Sequence, residues 1–155
     1  MMILIVGPYR SGTGNHPGKM AANLERLETT ALEVYRLGHL PVIGEWVALP
    51  LMRRAGMKEV GDPVYQEFAY PASHRLLHCC DAIFRIEGKS EGADGDVRLA
   101  RELGMPVFHN LDEVPGIPGD GTHEQRCYAR ENFGSARSLF STLSIFLITA
   151  TIATL

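Results

Sequence analysis

The sequence predicts an α/β sandwich built on a mainly parallel sheet of four or five strands. Short apolar runs without polar alternation are typical of strands that are buried on both faces. They alternate along the chain with segments in which apolar residues recur every three or four positions, as on one face of a helix. The composition agrees, since 155 residues that are 45% hydrophobic and 21% charged suit one globular domain with a short appendage.

The first half of the chain predicts two strands and one helix. Residues 3–6 are a continuous apolar run and form the first strand, followed by a glycine-rich loop over residues 7–18. From Lys19 an apolar stripe of helical spacing runs through Met20, Leu24, Leu27, Ala31 and Val34. Gly38 is placed to end this helix in a left-handed conformation. Residues 41–49 are expected to form the second strand and to continue into a loop.

The second half repeats this alternation. A helix is expected to begin near Pro71, whose fixed φ suits a first helical position, and to turn inward Leu76, Leu77 and Cys80. Residues 81–86 predict the third strand, and the helix after it, ended by Gly104, carries an apolar stripe of Val97, Ala100 and Leu103. Residues 106–109 predict a fourth strand. The order is that of a Rossmann-like or flavodoxin-like three-layer sandwich with helices on both faces.

Three loops are expected to meet at one edge of this sheet. Right-handed crossovers place the segments 7–18, 44–49 and 87–96 at the carboxyl edge, where ligands bind in open α/β sheets. The glycines of the first loop can turn backbone N–H groups toward an anion, and the guanidinium of Arg10 can bind the same anion through two hydrogen bonds. The glycine spacing fits neither the dinucleotide fingerprint nor the Walker loop, so an anion site and a structural turn both remain open.

The third loop carries acidic residues that allow a structural and a catalytic interpretation. Asp94 and Asp96 are predicted in the first turn of a helix capped by Ser90, where carboxylates are favoured without any function. Asp96 would nevertheless share the sheet edge with Tyr9 and Glu45 from the other two loops. A carboxylate beside a phenol and a second carboxylate can act as a nucleophile, with its partner as general acid or base.

Four motifs, in this order and spacing, resemble the nucleoside 2-deoxyribosyltransferase-like superfamily. They are Ile3-Leu-Ile-Val-Gly-Pro-Tyr9, Asp81-Ala-Ile-Phe84, Ser90-Glu-Gly-Ala-Asp-Gly-Asp-Val-Arg-Leu-Ala100 and Leu103-Gly-Met-Pro-Val107. The resemblance covers residues 3–108. Within the superfamily, the pattern is similar to that of small uncharacterised domains with Gly-Pro near the N-terminus and Ser-x-Gly-Ala-x-x-Glu later.

The resemblance implies cleavage or transfer at the N-glycosidic bond of a nucleoside or nucleotide, without a metal or a cofactor. An acidic residue of the family attacks the anomeric carbon, and its position is taken here by Asp96, one methylene shorter than the usual Glu. Tyr9 would orient Asp96. The stretch Gly44-Glu-Trp-Val-Ala48 resembles the Glu-His-Val-Ala of the related 2'-deoxynucleoside 5'-monophosphate N-hydrolases, which makes Glu45 the proton donor. The further acid that family members place eight residues before Asp81 is replaced here by Ser73.

The expected substrate site combines backbone and side-chain groups of all three loops. Arg10, Ser11 and Ser90 would hold a phosphate or a ribose hydroxyl. Trp46 could stack on a base, or it could be an ordinary core residue. The full substrate-binding set expected from the sequence is Gly7, Pro8, Arg10, Ser11, Trp46, Ser90, Gly92 and Ala93.

The net charge, the cysteines and the histidines limit which partner, location and metal site can be expected. The formal net charge of -3 gives no basic excess for a nucleic-acid polymer, so a small molecule is the expected partner. Three cysteines, of which Cys79 and Cys80 are adjacent, suit a reducing, cytoplasmic location. His74 and His78 have a spacing that can bind a metal, but no third ligand motif accompanies them, so a buried or capping role is the expected one.

The C-terminal segment has a different composition. The sequence predicts a domain over residues 1–115, and a linker with an apolar, helical tail over 116–155, of which residues 138–155 carry no charge. This tail could pack against the domain or a second subunit, lie on a membrane surface, or be foreign to the domain. The superfamily resemblance implies a homo-oligomer. Two functions therefore stand beside the enzymatic one: a nucleotide-like binding domain without catalysis, and an assembly or membrane-recruitment module.

Overall fold

The computed structural model of the chain describes residues 1–116, which form one α/β unit. Four parallel strands make a single sheet in the order β2-β1-β3-β4. The strands are β1 Met2–Val6, β2 Leu40–Ile43, β3 Ala82–Arg85 and β4 Val107–Phe108. The helices are α1 Pro17–Arg36, α2 Gly44–Arg54, α3 Pro63–Leu77 and α4 Glu91–Glu102, followed by a short 3-10 helix at Leu111–Glu113. The predicted α/β class and parallel sheet are confirmed.

The central strand β1 separates two apolar layers. Ile3 and Ile5 point to one face, where they pack with the α1 residues Leu27, Ala31 and Val34. Leu4 and Val6 point to the other face, against Leu77 of α3 and against Ala93, Val97 and Ala100 of α4. Because a strand between two helical layers hides both faces, β1 is apolar at every one of these positions, as the sequence predicted.

Several local predictions are also confirmed. The helix predicted from Lys19 is α1, and Gly38 ends it with φ +90° while its N–H donates to the carbonyl of Tyr35 at 2.8 Å. Ser90 caps α4, since its hydroxyl accepts a hydrogen bond from the N–H of Ala93. A serine before a helix accepts this bond because the first turn of a helix leaves its N–H groups unpaired.

The second strand is shorter than predicted. Residues 41–49 were expected to form a strand and then a loop, but β2 ends at Ile43 and α2 begins at the next residue, Gly44. The β-forming residues of this stretch are overridden by tertiary packing, since Ala48, Leu49 and Met52 form a buried cluster with α3 side chains.

The helix expected near Pro71 begins eight residues earlier. Pro63 occupies the first turn of α3, and Asp62 caps it by accepting a 2.8 Å hydrogen bond from the N–H of Tyr65, whereas Pro71 lies inside the helix. A proline does begin this helix, but it is Pro63 and not Pro71. In α4, Val97 and Ala100 are buried as predicted, but Leu103 is the C-cap and is exposed.

The predictions for the C-terminal segment lie outside the described residues, apart from Gly116. This applies to the linker and to the apolar tail, and the domain boundary placed at residue 115 stays a prediction. Across residues 1–116, none of the helices combines the length and the apolar character that a membrane span requires.

Candidate functional site

A cleft of about 990 Å³ opens at the carboxyl edge of the sheet. Its walls come from the loop after β1, from α2 and α3, and from the segment from Lys89 to Asp96, and two α1 residues, Asn23 and Arg26, also line it. The three segments that the sequence assigned to this edge therefore meet in one place. Tyr9, Glu45 and Asp96 all line the same cleft.

Asp96 is a buried carboxylate whose two oxygens have different surroundings. Only 6% of the residue is exposed. Its Oδ2 accepts a 2.8 Å hydrogen bond from the hydroxyl of Ser73, while Oδ1 has no hydrogen-bond partner among the described residues. His74 Nε2 lies 3.5 Å from Oδ1. Burial raises the pKa of Asp96, and the Ser73 bond and the His74 ring oppose that rise.

Glu45 is a second carboxyl group with a perturbed proton affinity. It lies in the first turn of α2, directly after β2. Burial raises its pKa to about 7; a hydrogen bond from its own backbone N–H opposes the rise, and the nearby charge of Asp96 adds to it. A carboxyl group with a pKa near neutrality can both donate and accept a proton, which is the property that general acid–base catalysis requires.

Two tyrosines adjoin Glu45. Burial, together with Glu45, raises the pKa of Tyr9, and the same two causes raise the pKa of Tyr65 on α3 to about 12. Both phenols are therefore neutral hydrogen-bond donors at physiological pH. The backbone of Tyr9 is fixed from α1, because the side-chain amide of Asn23 donates a 2.9 Å hydrogen bond to the Tyr9 carbonyl.

The loop after β1 brings positive charge to the cleft. The guanidinium of Arg10 lies over the ring of Tyr65, 5.6 Å from its centre, and its Nε donates to Asn15 Oδ1 at 3.1 Å. Ser11 and Pro8 line the same wall. Gly7 lies where the backbone passes close to β3, so that an added Cβ would collide with the side chain of Ile86.

The segment after β3 is held by a buried arginine. The Arg85 guanidinium donates to the carbonyls of Ile86 and Gly88 and forms a 2.8 Å ion pair with Asp94. This clamp fixes the turn that leads to Ser90. Gly92 and Ala93 follow in the first turn of α4, and the ring of Tyr70 packs so closely on Gly92 that an added Cβ would lie 3.2 Å from it.

Trp46 does not take part in the cleft. Its indole N–H donates to Glu28 Oε1 of α1 at 3.0 Å, and 44% of the residue is exposed. Since residues 44–49 are helical, Trp46 and Glu45 point in different directions, and only Glu45 reaches the cleft. The other residues of the predicted substrate site line it: Gly7, Pro8, Arg10, Ser11, Ser90, Gly92 and Ala93.

The sequence interpretation missed the contribution of α3. Tyr65, Tyr70 and Ser73 line the cleft, and His74 contacts Asp96 from the same helix. Asp62 followed by Pro63 is a typical helix start, and it would have indicated that these side chains share one helix. The position of Ser73, where the superfamily has an acid, was recognised, but its hydrogen bond to Asp96 was not.

His74 and His78, whose spacing could suit a metal, have different surroundings: His74 lies beside Asp96, and His78 is the C-cap residue of α3. Within residues 1–116, no group of three or more His, Cys, Asp or Glu side chains is arranged to hold a metal ion. Cys80, close to His78 in sequence, is partly buried, and this burial raises its pKa to about 11, which disfavours the thiolate form that metals bind.

Comparisons with known proteins find one distant likeness. No protein-family model matches the chain. No curated protein matches it. One solved structure that the chain is similar to is a 2-deoxyribosyltransferase from the psychrotolerant bacterium Bacillus psychrosaccharolyticus, described as a biocatalyst for nucleoside synthesis. The identity is 15%, the TM-score is 0.48, and the match covers 81% of this chain and 96% of that one. At this identity and TM-score, the likeness carries no argument about the activity of this chain.

Proposed function

We propose that the protein cleaves or transfers the N-glycosidic bond of a nucleoside or nucleotide, with Asp96 as the nucleophile. The observation that carries this proposal is the buried carboxylate of Asp96 at the wall of the cleft. One oxygen is held by Ser73 and the other accepts no hydrogen bond from the described residues, at the wall of a cleft that also contains Glu45 and Tyr9. A carboxylate that is held by a hydrogen bond and shares a cleft with a proton donor can act as a nucleophile.

The chemistry divides into two displacements. An oxygen of Asp96 attacks the anomeric carbon, the carbon–nitrogen bond breaks, and the electron pair leaves with the base. Glu45, whose pKa is near 7, gives its proton to the departing base. It then takes a proton from the water or second base that attacks the anomeric carbon of the glycosyl-enzyme, while the bond to Asp96 breaks and its electron pair returns to the carboxylate. Tyr9 orients the reacting groups. Two inversions retain the configuration at the anomeric carbon, by the logic of retaining glycosidases.

The decisive experiment is release or exchange of the base. Purified protein is incubated with deoxynucleosides, ribonucleosides and their 5'-monophosphates, and the free base is separated and quantified. We expect release from at least one of them, and loss of that release in Asp96→Ala. Asp112→Asn is the matched control, since Asp112 is an exposed acid in the short 3-10 helix and does not line the cleft. Absence of base release from every compound contradicts the proposal.

A second function, ligand binding without turnover, is favoured by the charge at the cleft. Arg10, Arg26 and Lys89 line it, so an anionic ligand has cationic partners whether or not the bond is cleaved. In that case a nucleotide raises the melting temperature without releasing a base, and Arg10→Ala weakens the effect. If nucleotides leave the melting temperature unchanged, this second function is excluded.

A further inference from the structure

His74 and Asp96 form a pair that the sequence did not predict. His74 lies one position after Ser73 on α3, so the same helix turn delivers two groups to the two oxygens of Asp96. Ser73 donates to Oδ2 at 2.8 Å, and the Nε2 atom of His74 lies 3.5 Å from Oδ1. No hydrogen bond links the ring to Oδ1, so the interaction between them is electrostatic.

The two members of the pair differ in their relation to the cleft. Asp96 lines it and is 6% exposed, whereas His74 is not among the described residues that line it, and 45% of its side chain is exposed. His74 therefore reaches solvent by a route other than the cleft. A ligand in the cleft contacts Asp96, and His74 can act on that ligand only through Asp96.

We propose that His74 is a positioning residue that holds the Asp96 carboxylate in place and in its charged form. This inference rests on the proposed function and adds to it a residue that governs the charge of Asp96. A protonated imidazole beside a buried carboxylate favours the charged form of that carboxylate, which is the nucleophilic form. Without His74, burial raises the pKa of Asp96 with only the Ser73 bond to oppose it.

The groups that face Asp96 come from two elements besides its own helix. Glu45 of α2 is the other acid, and the two carboxyl groups disfavour simultaneous ionisation. Ser73 and His74 of α3 both favour the ionised form of Asp96. The pair therefore favours the state in which Glu45 is protonated and Asp96 is charged. His74 stabilises this state, in which Asp96 can attack while Glu45 donates its proton.

The first test follows the ionisation of Asp96 without any substrate. Aspartate carboxyl carbons are labelled with ¹³C, the Asp96 resonance is identified by its absence in Asp96→Asn, and its midpoint of titration is measured. We expect the midpoint to rise by about one pH unit in His74→Gln and to return toward the wild-type value in His74→Lys, which restores a positive charge. His78→Gln, an exposed histidine one helical turn further on, is the matched control and is expected to change nothing. An unchanged midpoint in His74→Gln overturns the proposal.

The second test uses the pH profile of kcat/KM for base release. We expect the acid limb to move to higher pH in His74→Gln and back in His74→Lys, whereas a merely structural role would lower both variants equally at every pH. The two proposals fail in different ways. Absence of base release by the wild type contradicts the enzymatic function, and the carboxyl titration still reports whether His74 acts on Asp96.

Discussion

The hydroxyl of Ser73 on α3 donates a 2.8 Å hydrogen bond to Oδ2 of Asp96 on α4, which joins the two helices behind one wall of the cleft. The acceptor is buried and charged, so the bond belongs to the stronger class of side-chain hydrogen bonds. It also opposes the rise in the pKa of Asp96 that burial causes.

Ser73→Ala is therefore expected to destabilise the fold in a pH-dependent way. At pH 7 the loss should be roughly 1–3 kcal/mol in the free energy of unfolding, because Oδ2 loses its donor while it is charged. The bond favours the ionised form, so its contribution is present at neutral pH and is lost as the pH falls through the pKa of Asp96. Urea titrations at several pH values measure this, with Ser73→Thr as the control that keeps the hydroxyl. An equal loss at neutral and acidic pH would contradict the interpretation.

Glu45→Gln is expected to raise the stability of the protein near pH 8 and to lower its activity. The pKa of Glu45 is about 7 in the folded chain and 4.5 in its ordinary state, so between these values the folded form holds a proton that the unfolded form has released. The stability of the wild type consequently falls as the pH rises through this window. Gln removes that loss, so the variant should match the wild type below about pH 4 and exceed it near pH 8 by at most roughly 3 kcal/mol.

The same variant should lose base release by about 10²–10⁴-fold, which is the usual contribution of a general acid or base. Thermal or urea unfolding and the base-release assay together measure both effects. Glu67→Gln, an exposed glutamate of α3, is the control and should alter neither. A Glu45→Gln variant that is no more stable than the wild type at pH 8 would show that Glu45 ionises normally in the fold.

Arg85 and Asp94 are expected to contribute unequally, although they form one ion pair. Arg85 is buried and also donates to the carbonyls of Ile86 and Gly88, whereas the side chain of Asp94 is 61% exposed. Arg85→Met leaves these carbonyls and Asp94 without their donor and should cost roughly 3–5 kcal/mol, while Asp94→Asn should cost less than about 1 kcal/mol. Chemical denaturation compares the two. Similar losses in both variants would contradict the clamp described for the β3–α4 turn.

Trp46→Ala is expected to leave ligand binding and base release unchanged. The indole bonds to Glu28 on the outer side of α2 and does not line the cleft. Its partly exposed ring should contribute no more than about 1 kcal/mol to stability. The Kd for a nucleotide and the KM for base release are the measurements. A rise of tenfold or more in either would place the indole in contact with the ligand and would require a different conformation of α2.

The fold was predictable because its strongest signals are local. The apolar run of β1, the Gly38 stop and the Ser90 cap are each decided within a few residues, and the structure contains all three. The sheet edge followed from these elements, since parallel strands place their following loops together. That was sufficient to bring Tyr9, Glu45 and Asp96 to one cleft.

The α2–α3 region was not predictable in the same way. Val42, Ile43, Trp46 and Val47 favour a strand by local propensity, and the helix forms because Leu49 and Met52 are buried against α3. The partners of Asp96 depend on that packing and lie more than twenty residues away in sequence. Their positions therefore follow from the tertiary structure, and Ser73 was recognised only as the position of a missing acid.

No residue connects β2 to α2, so the site is sensitive to an insertion or a deletion at this junction. Ile43 ends the strand and Gly44 begins the helix, so the direction of Glu45 is set by the strand itself. One inserted residue at this junction would turn the helix by about 100° and carry Glu45 away from the cleft. A substitution in the first turn of α2 changes one side chain, whereas an insertion or a deletion there takes the carboxyl group of Glu45 out of the cleft.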